Sequence, residues 1–186
     1  MKLPAKKKPA NLSEQLDVDN VPILGMKDWL PYNFSVLANR VSACLFEMYN
    51  KRYGLSVSGW RIMAVLGPYQ PLSAKDVAQH TAMDQVSVTR AINQMDGLGL
   101  ITRRTDASDR RKITLRLSEK GEAARREIVP LALALERAMV SSLTKQELTS
   151  LKTIISKLTS FSESEFIEPS NWPEILKNHS GSKEFN

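Results

Sequence analysis

A chain of 186 residues with 42% hydrophobic side chains is long enough for one domain, or for one domain with an added oligomerisation element. Its 26 basic and 20 acidic residues give a formal net charge of +6, which suits a nucleic-acid partner but is also common in ordinary soluble proteins. A single cysteine excludes an intrachain disulfide and a multi-cysteine zinc site. No apolar run is long enough for a membrane span or a secretory signal, so we expect a cytoplasmic protein with no membrane partner.

The two ends of the chain are polar and lack helical or strand periodicity. Residues 1–28 carry Lys2, Lys6, Lys7 and Lys8 with two early prolines, and we expect a mobile basic arm that is either simply solvated or in contact with phosphates of DNA. Residues 164–186 are expected to form a polar tail.

Two helices are predicted before the first change of pattern. Apolar residues at three- and four-residue steps predict a helix from Leu30 to Tyr53 that ends at Gly54. A second helix is predicted from Val57 to Leu66, where the following Gly-Pro pair should stop it.

Two short helices with a tight turn between them come next. The pattern Ser-x-x-Asp at 73–76 is typical of a helix start, and this third helix should reach about His80. Asp84 is a good N-cap for a fourth helix through Asp96, which Gly97 should close. The pair predicts a helix-turn-helix over this part of the chain.

A hairpin should follow the fourth helix. The segments LITRR (100–104) and ITLRL (113–117) are short and rich in β-branched residues, with Ile113, Leu115 and Leu117 on one face of the second strand. The stretch between them, with its charged tip, is expected to form a wing beside the helix-turn-helix.

Two longer helices are predicted at the end of the folded region. Ser118 should cap a helix through about Ser142, in which Pro130 predicts a kink or a break. TKQE at 144–147 is a capping box for a last helix. Because only two or three residues separate them, we expect the two helices to pack as an antiparallel pair.

The fourth helix divides into two faces. Val88, Ala91, Ile92 and Met95 have the spacing of a core-facing stripe. The opposite face and the N-terminal end offer the side-chain types that contact base edges and phosphates in a major groove, although an ordinary polar helix face is the alternative. The residues concerned are Gln85, Val86, Ser87, Thr89, Arg90 and Asn93.

The wing carries a concentration of cations that turn formation does not require. Like charges held close together repel unless a polyanion is near, and an arginine on a narrow tip can enter a minor groove. Asp109 would oppose phosphate binding unless it orients an arginine, so we assign it that bracing role. The cations are Arg103, Arg104, Arg110, Arg111 and Lys112.

The order of these elements, together with the segment GLITRRTDASDRRKITLRLSEKG, resembles the MarR family of winged helix-turn-helix transcriptional regulators over roughly 30–161. The usual wing pattern Asp-x-Arg-Asp-x-Arg maps onto Asp106, Asp109 and Arg111, but its first arginine falls on Ser108, which weakens one wing contact or brace. The resemblance implies that the fourth helix is the recognition helix and that Arg111 is the best candidate for the minor groove.

The resemblance also implies a homodimer in which the first and last helices of the two subunits interleave, and which binds a pseudo-palindromic DNA operator. The fold expected is mainly α with a small antiparallel β wing. Its parts are a basic arm (1–28), an N-terminal dimerisation helix (29–55), a winged helix-turn-helix DNA-binding domain (56–118), C-terminal dimerisation helices (119–163) and the tail (164–186).

Regulators of this family commonly respond to small, often aromatic, anions that bind between the dimerisation helices and the DNA-binding lobe. By that resemblance, a repressor released by such an effector is expected. For each apolar residue among the candidates, core packing is the alternative role. The candidate effector-binding residues are Tyr32, Arg40, Phe46, Trp60 and Met63.

Three other kinds of function have less support in the sequence. Some family members sense oxidants through a cysteine in the first helix, but Cys44 falls on the apolar stripe with Val41 and Met48, which predicts a buried, inert thiol. The chain lacks a phosphate-binding loop, a nucleophile with a histidine partner and a spaced ligand set, so no enzyme, metal or cofactor is expected. A winged helix that docks a protein instead of DNA is the remaining alternative.

Overall fold

The computed structural model describes residues 24–105, 113–166 and 172–179. In these ranges the chain forms helices around a two-stranded antiparallel sheet, a winged helix-turn-helix architecture. The helices are α1 (Leu30–Tyr53), α2 (Val57–Tyr69), α3 (Ala74–Thr81), α4 (Gln85–Gly97), α5 (Glu119–Met139), α6 (Lys145–Glu165) and α7 (Trp172–His179); the strands are β1 (Ile101–Thr105) and β2 (Ile113–Leu117).

The first two helices show how local sequence sets their ends. Helix α1 ends as predicted at Gly54, which adopts a left-handed conformation (φ 64°) that favours glycine. The predicted stop of α2 at Gly67-Pro68 is wrong by about one turn. Pro68 removes one N–H but leaves the next bond intact, from the N–H of Gln70 to the carbonyl of Leu66 at 2.9 Å. The helix ends where Pro71 pushes Gln70 into extended backbone (ψ 142°).

The helix-turn-helix has the predicted caps. The hydroxyl of Ser73 accepts a bond from the N–H of Asp76 at 3.2 Å, and the Asp76 carboxylate accepts from the N–H of Ser73 at 3.0 Å. Asp84 caps α4 as expected. The predicted close of α4 at Gly97 is wrong, because Gly97 is still helical and the left-handed turn is made by Gly99 (φ 69°).

The predicted hairpin is confirmed, with Ile101 opposite Leu117 and Thr105 opposite Ile113. Leu115 and Leu117 are buried, whereas Ile113, although on the same face, is 55% exposed because it lies near the tip. Leu72 adds a short bridge to Leu115, with the two backbone bonds at 2.8 and 3.2 Å. The sheet is thereby tied to the segment between α2 and α3.

The core lies where helices α1 to α5 and the two strands meet. Helix α5 continues through Pro130, so the break that was one of two predicted effects of this proline does not occur. Its first half packs against α1 and α2 and against β2. The largest fully buried side chains are those of Tyr49, Leu55, Ile62, Met63, Leu66, Met95, Leu100 and Ile128.

The predicted antiparallel pair of α5 and α6 is wrong. Helix α6 does not pack along α5, and it buries none of its residues within the described ranges of the chain. A short link makes two helices neighbours in sequence but does not fix the angle between them. Five apolar residues of α6 therefore remain exposed, and we call them the α6 stripe: Leu151, Ile154, Ile155, Leu158 and Phe161.

The segment predicted to be a polar tail contains the short helix α7. Its first turn includes a proline and Glu174, both of which favour a helix N-terminus, so a local signal for this helix is present in the sequence. No helix in the ranges 24–105, 113–166 and 172–179 combines the length and hydropathy needed to cross a membrane.

Candidate nucleic-acid interface

Helix α4 is held by its buried face, as its spacing predicts. Val88 and Met95 are fully buried, and Ala91 and Ile92 are 4% exposed. These side chains belong to the same core cluster as Ile62 of α2 and Val77 of α3. Because one face is anchored over its whole length, the orientation of the opposite face is fixed relative to the domain.

The opposite face of α4 is open. Its residues line one shallow groove, and we call them the reading face: Gln85, Val86, Thr89, Arg90 and Asn93. Val86 is 67% exposed, so its methyl groups are open to contact with a partner. The hydroxyl of Thr89 donates to the carbonyl of Gln85 at 2.7 Å. Arg90 makes no ion pair with any residue in the described ranges, so its guanidinium is available for an anion.

Ser87 lies to one side of the reading face. It lines a second concavity together with Ser56, the N-cap of α2, and Ser58 of α2, and Arg90 borders both concavities. Gln94 closes the other end and donates to the carbonyl of Gly54 at 3.3 Å. The six predicted DNA-contacting residues of α4 therefore do not lie together. Ser87 lies between α2 and α4, and the other five line the groove of the reading face.

Asp84 fixes the start of α4. The backbone N–H of Ser87 donates to its carboxylate at 2.8 Å. Hydrogen bonds from the Ser87 side chain and backbone lower the pKa of Asp84, so the carboxylate is charged at the positive end of the helix dipole. This cap defines the first turn of the helix, in which Gln85, Val86 and Ser87 lie.

Arg103 was expected to be one of the wing cations available to DNA, but it is paired with residues of α4. Its Nη2 donates to Oδ1 of Asn93 at 2.7 Å, and its Nε lies 3.0 Å from Oδ2 of Asp96. The guanidinium thus turns back from β1 onto α4. Asp96 was missed as a functional candidate, although its position three residues after Asn93 puts both on one helix face.

The remaining wing candidates are only partly described. Arg104 is exposed in β1, and its carbonyl accepts a bond from the hydroxyl of Thr114 at 3.2 Å. Asp109, Arg110 and Arg111 lie outside the described residues. Their predicted roles at the wing tip therefore stay predictions.

The five effector candidates do not line one pocket in the single chain. Met63 is fully buried in the core, so its predicted place in an open cleft is wrong. Phe46 and Trp60 pack against that core, each against the ring of Tyr49. Tyr32 lies fourteen residues before Phe46 on α1, which is about 21 Å along a helix, so a small molecule could not contact both.

An apolar groove that the sequence did not predict lies between the start of α1 and the second half of α6. It has a volume of about 570 Å³. Leu30 and Phe34 line one side, and Ile155, Leu158 and Phe161 line the other. Phe34 and Leu158 are 45% and 43% exposed, so the groove remains open to solvent in the single chain.

Cys44 is exposed, so the predicted buried thiol is wrong for the single chain. Helix α1 has two apolar stripes, and the core takes the one that contains Leu45 and Tyr49. The sequence pattern did not show which stripe would face inward. The other, which we call the outer stripe, points away from the core and consists of Phe34, Leu37, Val41, Cys44 and Met48.

Comparison with known proteins agrees with this architecture. A model of the MarR family matches residues 53–112, from the end of α1 through the helix-turn-helix to the wing. The regulator MgrA from Staphylococcus aureus is 27% identical over 134 residues, which are 72% of this chain and 89% of MgrA. A MarR family regulator from Silicibacter pomeroyi DSS-3 is 27% identical, with a TM-score of 0.63 over 75% of this chain and 98% of that one.

The chain is similar to the MarR family in its helix-turn-helix and wing, and to regulators of that family over most of its length. Its fold is a winged helix-turn-helix, and MgrA, which it resembles, is an HTH-type transcriptional regulator. BpsR from Bordetella bronchiseptica has the same fold, with 22% identity and a TM-score of 0.65 over 75% of this chain and 98% of BpsR. Within the described ranges, no three His, Cys, Asp or Glu side chains form a group that could hold a metal ion.

Proposed function

We propose that this chain is a MarR family regulator, a homodimeric, cytoplasmic repressor that inserts α4 into the major groove of a pseudo-palindromic operator. The reading face is the observation that carries the proposal, since a buried opposite face holds its five residues in one open groove. Arginine suits guanine edges or phosphate, glutamine and asparagine suit base edges, and an exposed valine suits a thymine methyl. Ser87 and Thr89 suit phosphates.

The wing is proposed to contact the flanking minor groove. Arg104 is an exposed cation on β1. Arg110 and Arg111 follow at the tip of the hairpin in sequence, with Asp109 as a brace. Narrow minor grooves carry the most negative potential along DNA, which favours an inserted arginine. We assign the deepest contact to Arg111.

The dimer is proposed to form through helices that the single chain leaves uncovered. The outer stripe of α1 and the α6 stripe both point away from the core, and the apolar groove lies between the two helices. Contiguous exposed apolar surface of this kind is typical of an obligate interface. A twofold dimer would place two α4 helices about one helical turn of DNA apart, roughly 34–36 Å.

A small aromatic anion is proposed to release the repressor. The name of the BpsR structure states that 6-hydroxynicotinic acid regulates the DNA binding of that protein. In this chain, Tyr32 and Arg40 are exposed on α1 and remain candidates for such a ligand, whereas Met63 does not. A ligand can weaken DNA binding only if it prefers a dimer whose α4 helices have the wrong spacing.

Selection of duplexes from a random-sequence pool by the purified protein tests this function. We expect enrichment of a twofold-symmetric site whose half-site centres lie about 10 base pairs apart. Binding to the selected duplex should be saturable at physiological salt. Binding only at low salt, with no enriched sequence, would contradict sequence-specific reading and favour a winged helix that docks a protein.

A further inference from the structure

Arg103 joins the wing to α4 through two contacts. Its Nη2 to Asn93 Oδ1 distance is 2.7 Å and its Nε to Asp96 Oδ2 distance is 3.0 Å. Asn93 and Asp96 are three residues apart and hence on one face of α4, while Arg103 is the third residue of β1. A planar guanidinium engaged at two of its nitrogens has little freedom to rotate. The wing strand and the second half of α4 are therefore held in one relative orientation.

The chemistry of Arg103 also fixes the Asn93 amide. A guanidinium has only donors, so the atom of Asn93 that faces it must be the acceptor Oδ1. The NH₂ group of Asn93 is then the part left for another partner, and Asn93 lines the open groove of the reading face. An asparagine that reads adenine uses both its oxygen and its nitrogen. Because the bond from Arg103 uses one lone pair of Oδ1 and orients the amide plane, the NH₂ group is the part of Asn93 that is turned away from Arg103.

The positive charge of Arg103 is also paired within the protein. Its ion pair with Asp96 offsets its charge, although both side chains are partly exposed, at 37% and 45%. Arg104, the next residue, has no ion pair with another described residue. A phosphate contact releases counterions and steepens the dependence of affinity on salt, whereas an internally paired arginine does not. The two neighbouring arginines are thus expected to behave differently.

We propose that Arg103 is a positioning residue that locks β1 onto α4 and turns the Asn93 amide so that only its N–H donors meet DNA. Asn93 then selects an acceptor, such as the O6 and N7 of guanine, in place of the paired donor and acceptor of adenine. This rests on the proposed function, because it concerns how the same reading face contacts its operator.

The test compares Arg103→Met with the matched control Arg104→Met on the duplex selected by the wild type, over a salt series, followed by a new selection with each variant. For Arg103→Met we expect affinity to fall about tenfold, while the slope of log affinity against log salt concentration stays unchanged. Base preference should change at one position in each half-site. For Arg104→Met we expect the slope to fall by about one for each subunit with an unchanged base preference.

Asn93→Asp is a second variant that keeps an acceptor for Arg103 but removes both amide donors. We expect it to bind the selected duplex at least as weakly as Asn93→Ala, and the effects of Arg103→Met and Asn93→Ala to be non-additive. Thermal melting should show that all variants fold. The proposal is overturned if Arg103→Met reduces the salt dependence of affinity as Arg104→Met does, or if it leaves base preference unchanged. It is also overturned if Asn93→Asp binds like wild type. Failure of the wild type to select any duplex would instead remove the proposed function.

Discussion

A Leu158→Glu variant is expected to be monomeric and to bind the selected duplex about 100-fold more weakly than wild type, because joined half-sites gain that order of affinity from effective concentration. Leu158 lies in the middle of the α6 stripe and lines the apolar groove with Phe34. A carboxylate there would have to be desolvated in the dimer without a partner, whereas in the monomer it stays in water. Helix α6 buries no residue within the described chain, so the subunit itself should remain folded.

Ser156→Glu is the matched control, because it adds the same charge to the opposite side of α6. Sedimentation or light scattering should give a dimer for this control and for wild type, and a monomer for Leu158→Glu, with equal helix content by circular dichroism. A Leu158→Glu protein that stays dimeric and binds DNA normally would show that the dimer does not use the α6 stripe.

A Gly121→Ala variant is expected to be destabilised by about 3 kcal/mol, the upper part of the usual cost of overpacking. A Cβ at this position would overlap the carbonyl oxygen of Leu100, which is backbone and cannot move as a side-chain end can. The same carbonyl accepts the N–H of Ser118 at 3.0 Å, so the first turn of α5 sits directly on the base of the wing. The extra methyl must push α5 away from the wing.

Gly97→Ala is the control for this substitution, since a Cβ at Gly97 would meet no atom of the described residues within 4 Å and the residue is helical. Alanine there should be neutral or stabilising by roughly 0.5 kcal/mol. In thermal melts we expect Gly121→Ala to lower Tm by about 6–12 °C, and Gly97→Ala to leave it equal or slightly higher. A Gly121→Ala protein as stable as wild type would mean that α5 and the wing do not pack this closely.

Local signals were the part of the fold that the sequence predicted well. The caps at Ser73, Asp84, Ser118 and Thr144 all form as predicted, because a cap depends on residues within one turn of each other. The two faces of α4 were also predicted, because Val88 and Met95 lie at helical spacing on a helix with one buried side.

Which face of a helix becomes buried could be predicted less well from the sequence. The outer stripe and the stripe of Leu45 and Tyr49 have similar patterns in α1, and only the position of the other helices decides which is buried. For the same reason Cys44 was expected inside and is exposed, and Met63, for which a cleft and the core were both open, lies in the core.

The link from Arg103 to α4 crosses from a strand to a helix, so the sequence showed only another cation in a basic run. Its partner Asn93 looked equally free on a helix face. Periodicity assigns residues to faces of one element, but it does not show which side chains from two elements meet.

The most direct test of whether the reading face contacts DNA compares binding of the selected duplex by wild type and Arg90→Ala over a salt series. Lys152→Ala, which removes one positive charge from α6, is the control. We expect saturable wild-type binding at physiological salt, a loss of about 1–3 kcal/mol for Arg90→Ala, and no loss for Lys152→Ala. If Arg90→Ala and wild type bind equally, and only at low salt, the outer face of α4 does not read DNA.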